Sequence, residues 1–229
     1  MNKNIIYFAL LLIFVGLVSY SLVNLSPSSK NTTPTNSNSA PTTPIEPVEN
    51  KDSLSFKINP ATSTISWAAK KTLVNTNNHL GTVKIKDGFL SVHENTLTGG
   101  EITIDMQSIT STDLMGAFRK KLEDHLKSAD FFAANEFPTA QLIIKQVGRT
   151  ENSQTLVIGD LTIKDNTNEV EFVANIENIT EKEIKLKADL SIDRTLWDIR
   201  YGSGKFFDNL GDAAIDDLIN LSLEIKAQK

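Results

Sequence analysis

The chain has 229 residues, 40% of them hydrophobic, and carries 23 Lys and Arg against 28 Asp and Glu for a net charge of −5. A mildly acidic chain with no long basic stripe is a poor match for a nucleic-acid surface, which needs clustered Lys and Arg. Without cysteine there is no disulfide and no lipidated-cysteine anchor, and the three histidines, His79, His93 and His125, are not spaced as metal ligands, so no metal and no cofactor is expected.

The chain opens with Lys3 and then an apolar run, Ile5 to Leu25, broken only by Gly16, Ser19, Tyr20, Ser21 and Asn24. Its core from Ile5 to Val18 suits a secretory signal peptide, with Ser19 and Ser21 as small residues for cleavage. The whole run approaches the ~20 residues that a helix needs to span hydrocarbon, which suits a retained signal anchor. In either case Lys3 favours a cytoplasmic N-terminus and an exported domain. Residues 26–52 are mostly Ser, Thr, Asn and Pro, hold five of the seven prolines, and read as a disordered linker. If extended, they would reach as far as ~75 Å from a bilayer. The folded domain is expected over 53–229.

Within that domain the dominant period is two. Leu54/Phe56/Ile58, Ile65/Trp67/Ala69, Ile102/Ile104/Met106, Ala140/Leu142/Ile144, Val170/Phe172/Ala174/Ile176, Ile184 to Ile192 and Ile219 to Ala227 all alternate with polar residues. That pattern predicts antiparallel strands with one buried face, joined by turns at Asp87-Gly88, Gly99-Gly100, Asn152-Ser153 and Asp165-Asn166. Many strands with short connections mean a barrel or a sandwich. One segment has a different period. Leu114, Phe118, Leu122 and Leu126, with Met115 beside them, fall on one face of a helix from about Asp113 to Lys127, capped by Thr112 or Asp113. Its polar face carries Arg119, Lys120, Glu123 and Asp124. An amphipathic helix between strands is placed to cover a barrel mouth.

From the last turn of that helix the run His125-Leu126-Lys127-Ser128-Ala129-Asp130-Phe131-Phe132 continues through Phe137-Pro138-Thr139-Ala140. It resembles the signature of the YceI-like, polyisoprenoid-binding family, with Ala133 where that pattern has Asp. The resemblance continues in His79–Val83, Leu97–Met106, Gly159–Lys164 and Asp193–Trp197, then through Asn209–Asp212, and so spans about 54–227. It implies an all-β, lipocalin-like antiparallel barrel with the helix at one mouth, no catalytic activity, and a long apolar lipid as partner. Such a lipid could be a polyisoprenoid, an isoprenoid quinone or a fatty amide. It also implies an envelope location, with the membrane as a second partner if residues 5–25 are uncleaved, and leaves a homodimer open.

The lumen or mouth candidates are Trp67, Phe118, Leu122, Phe131, Phe132, Trp197, Phe206 and Phe207, each of which could equally be core packing. Adjacent phenylalanines cannot both point inward from a regular strand, so one of each pair should line a loop, a mouth or a helix contact. Arg119, Lys120 and His125 are candidates for an anionic head group, with a solvated, internally paired helix face as the alternative. No nucleophile elbow occurs, and Gly202-Ser203-Gly204-Lys205 lacks the first glycine and the following Ser or Thr of a phosphate loop. The rival to lipid binding is an envelope interaction module with a filled barrel.

Overall fold

The computed structural model describes residues 53–72, 78–150 and 154–229. The apolar run at 5–25, the linker at 26–52 and the expected turn at Asn152-Ser153 lie outside them. Among the described residues no helix is long and apolar enough to cross a membrane.

Among the described residues the two-residue period becomes nine antiparallel strands: β1 (Leu54–Ile58), β2 (Thr64–Lys70), β3 (Asn78–His93), β4 (Thr96–Ser111), β5 (Thr139–Arg149), β6 (Thr155–Ile163), β7 (Asn166–Ile179), β8 (Glu183–Asp193) and β9 (Leu218–Gln228). One helix, α1 (Gly116–Lys127), joins β4 to β5. From β3 to β9 each strand pairs with the next in sequence, and the gap between β9 and β3 is filled by β1 and β2 together. These two act as one broken strand. β1 pairs with the second half of β3 (Phe56 opposite Leu90), β2 with its first half (Trp67 opposite Gly81), and both reach β9. The sheet thus closes on itself as an antiparallel barrel of eight strand positions, a size whose interior side chains nearly fill.

The alternating residues are the inner face. Phe56, Ile58, Ile65, Ile102, Met106, Ala140, Leu142, Ile144, Phe172, Ile184, Leu223 and Ile225 are all buried. Two expected turns are not turns. Asp87-Gly88 lies inside β3 and Gly99-Gly100 inside β4, and the hairpin reverses instead at Glu94-Asn95, both at positive φ. The glycines serve close approach between the strands: a Cβ on Gly88 would stand 2.4 Å from the Glu101 carbonyl oxygen and one on Gly100 2.6 Å from that of Phe89. A register shift between Ile85 and Asp87 marks the same bend, which a barrel strand needs to curve.

Candidate functional site

An apolar cavity of about 100 Å³ occupies the α1 end of the barrel. Its walls come from alternate residues of the strands, among them Ile65, Trp67, Ile104, Met106, Leu161, Ile192 and Leu221, while Leu126, Phe131 and Phe132 close one end. A second void of about 30 Å³ lies beside it, lined by Ile102, Leu142, Val170 and Leu223, and shares Ile65, Ile104, Leu161 and Leu221 with the first. The barrel is therefore neither solid nor wide. Among the described residues, only Arg194 and Asp216 bring charge to the main cavity wall.

Arg194 is 1% exposed, and each nitrogen of its guanidinium donates a hydrogen bond. It donates to the carbonyls of Asp216 (3.1 Å), Ile199 (2.8 Å) and Ile215 (3.2 Å) and pairs with Asp217 at 3.4 Å. Burial pulls it below the ordinary arginine value, against the opposing carboxylates of Asp217, Asp193 and Asp216. Four acceptors around one buried cation tie the Asp193–Asp217 excursion to the rim. The sequence held this residue within its quoted motif without indicating such a role; the signal available was a lone Arg at the end of a strongly alternating strand.

The helix starts at Gly116, three residues later than its periodicity predicts, and neither expected cap is used. Gly116 has φ +57, a left-handed conformation that stops the helix from extending backward. Asp113 is committed elsewhere: its carboxylate accepts from the Leu80 amide (3.0 Å) and the Ser111 hydroxyl (2.8 Å) and meets His79 Nδ1 at 2.9 Å. Burial pushes Asp113 up, but these three partners outweigh it and hold it below the usual carboxylate range. Glu123, expected on the solvent face, turns to β4 and accepts from the Thr110 hydroxyl and, at 2.9 Å, from the Ser111 amide. The Thr110 bond is the largest influence holding Glu123 below its ordinary value.

Burial of the apolar stripe is a second departure. Leu126 lines the cavity and Leu122 is half-buried, whereas Phe118 is 76% and Met115 80% exposed. No residue of α1 is fully buried. Polar anchors at Asp113 and Glu123, more than apolar packing, hold α1 to the barrel.

Beyond α1 the chain folds into a tight reversal. The amides of Phe132, Ala133 and Ala134 donate to Leu126, Ser128 and Lys127 carbonyls, and Ala133 adopts φ +45. Because the Phe pair sits in this turn and not in a strand, both rings line the cavity, Phe131 buried and Phe132 half-buried. His125 packs its edge on Phe131 (4.9 Å between centroids) and Tyr201 (4.6 Å) and meets Asp130 at 3.2 Å.

Of the lumen candidates, the structure thus brings Trp67, Phe131 and Phe132 together. Phe118 and Leu122 do not reach the cavity. Trp197 is buried within the core cluster, with Nε1 donating to the Leu161 carbonyl at 2.9 Å, and is not among the cavity-lining residues. Phe206 and Phe207 are exposed because their amides both turn back to the Ser203 carbonyl, leaving the rings outside; Arg200 stacks on Phe206 at 4.9 Å. None of the head-group candidates lines the cavity. Arg119 donates to the Leu114 carbonyl, Lys120 pairs with Asp124 at 2.6 Å, and His125 backs the Phe131 ring.

Residues 56–227 match the model of the YceI-like domain. The chain belongs to the YceI-like family. Among curated proteins, a UPF0312 protein of Staphylococcus aureus is 39% identical over 59 residues, 26% of this chain and 32% of its own length, so the match spans about a third of such relatives. BcnA of Burkholderia cenocepacia superposes with a TM-score of 0.55 at 19% identity, covering 74% of this chain and 99% of its own. A domain from Saccharophagus degradans described as polyisoprenoid-binding gives 0.54 at 11% identity, covering 76% and 97%. The Campylobacter jejuni YceI protein gives 0.50 at 18%, covering 70% and 88%. At such identities the solved structures show a shared fold.

Proposed function

We propose that this YceI-like protein binds one long apolar lipid tail, without catalysis, in the cell envelope. The carrying observation is the cavity, walled by apolar side chains from strands around the barrel and closed at one end by Leu126, Phe131 and Phe132, beside a helix none of whose residues is fully buried. Affinity would come from withdrawing alkyl or prenyl groups from water, ~0.8 kcal/mol per CH₂. A cavity of about 100 Å³ holds only part of a long chain, so the remainder must emerge past Leu126 and Phe132. A polyisoprenoid, a quinone tail and a fatty amide share that chemistry. The sequence pattern at 5–25 and the family support an exported domain.

Organic extraction and native mass spectrometry of the purified full chain test the reading. Recovery of a long-chain apolar lipid in fixed stoichiometry is the expected result. Protein that carries no lipid and takes none up from a detergent-solubilised polyprenol would favour the interaction-module reading.

A further inference from the structure

The stripe on α1 is graded along its length. Leu126 reaches the cavity, Leu122 is half-buried, and Phe118 and Met115 stand in solvent. At 100° per residue Phe118, Leu122 and Leu126 lie within one narrow sector of the helix, with Arg119 and Lys121 flanking it on either side, and Met115 is the extended residue just before the first turn. The acidic residues are spent or turned away: Glu123 binds β4, and Asp124 holds Lys120 on the opposite face. On a protein of net charge −5, this is a local cationic border around two large exposed apolar groups. Such a combination matches an anionic lipid surface, whose interior accepts the apolar groups while its head groups attract the border.

We propose that α1 docks the barrel onto an anionic bilayer, Met115 and Phe118 entering the acyl region, so that the stripe forms a continuous apolar ramp from bilayer to cavity. What the ramp carries rests on the lipid-binding reading, whereas docking itself does not require an occupied cavity. The polar anchors at Asp113 and Glu123 allow α1 to carry its apolar residues outward without dismantling core packing.

The absence of cysteine permits a clean test in the full chain. Met115→Cys and, at the opposite mouth, Gln154→Cys are each labelled with a polarity-sensitive fluorophore. Each is then reconstituted in vesicles of phosphatidylcholine with phosphatidylglycerol, or of phosphatidylcholine alone, bearing a quencher in the acyl chains. The expected result is blue-shifted, quenched emission from position 115 only, stronger on the anionic vesicles. Lys121→Glu should weaken it about fivefold or more, consistent with ~1 kcal/mol per basic residue near such a surface. Phe118→Ser should weaken it by about tenfold, with the circular dichroism of the barrel unchanged.

Equal solvent exposure of both labels on anionic vesicles would overturn the proposal. So would shielding of position 115 that is the same on both vesicle types and rises with protein density, which would assign the face to a second copy of the chain. Lipid extraction on the same samples keeps the two readings apart: quenching at 115 with an empty barrel refutes the lipid reading and leaves docking standing.

Discussion

Ala140→Leu should make the empty protein more stable and the loaded protein scarcer. Ala140 lies on the inner face of β5, 3% exposed, opposite Ile104 and on the wall of the main cavity. Leucine adds three carbons there, into about 100 Å³ of free apolar space. At ~0.8 kcal/mol per buried CH₂ the ceiling on the gain is about 2.4 kcal/mol, and the strain of fitting a branched side chain takes back part of it. A net stabilisation of about 1–2 kcal/mol is expected for lipid-stripped protein. For a domain of this size that is roughly 2–8 °C in Tm. The same three carbons occupy the space proposed for the lipid, so retention of a long-chain ligand should fall at least tenfold. Urea titration of stripped protein with an unchanged m-value, beside mass-spectrometric lipid content, reads both effects. Opposite signs are the signature of a real, usable cavity. Higher stability with full lipid retention would mean that the ligand sits elsewhere, and loss of stability would mean that the lumen has no room to fill.

Three further expectations follow from the mouth. Phe131→Ala, which removes a buried ring packed on His125 and Tyr201, should cost about 3–4 kcal/mol. Phe132→Ala, half-buried, should cost less and should mainly alter ligand exchange rates, measured by transfer of a fluorescent polyprenol analogue; equal costs with unaltered exchange would make both rings plain core. Ala133→Gly should stabilise the fold by up to about 1 kcal/mol in chemical denaturation, because Ala133 is held at φ +45, where a Cβ is strained. Asp113 and Glu123 both have depressed folded-state pKa values, so the stability they supply is complete above the ordinary carboxylate range and is lost as pH falls through the lowered values. Protection factors across 113–127, taken against the intrinsic exchange rate at each pH, should therefore fall on acidification, and Glu123→Gln should blunt that response.

The barrel was legible because inner-face alternation is nearly complete in strands such as β8, where Ile184, Leu186, Ala188 and Ile192 are all buried. Strand β6 was visible only through the motif around Gly159, since a glycine interrupts its alternation. The turn assignments at Gly88 and Gly100 were wrong because glycine supports close strand approach as readily as reversal. Periodicity located α1 but not its environment: the spacing of Met115 and Phe118 is the same whether the stripe meets a barrel or open solvent. Phe131 and Phe132 stood out as a pair in the sequence, yet their shared access to the cavity depends on the reversal at Ser128–Ala134, which a strand-based argument does not supply. Arg194 was hidden because most of its partners, at Ile215, Asp216 and Asp217, lie more than twenty residues away in the chain and two of them are backbone carbonyls.

The broken strand formed by β1 and β2 carries a consequence for how the molecule assembles. Its neighbour on one side is β9, and the hydrogen bonds between Ser63 and Lys226 join residues 163 positions apart. Every strand from β4 to β8 finds both its partners among sequence neighbours and can pair as the chain emerges during synthesis. The β9 seam cannot. Until β9 arrives, β2 and β8 expose unpaired backbone and the apolar inner face has no fourth wall, an interval in which edge-to-edge association competes with closure. Folding should therefore be limited by this last, longest-range pairing, and a chaperone that shields open sheet edges would act on that interval more than on any earlier one.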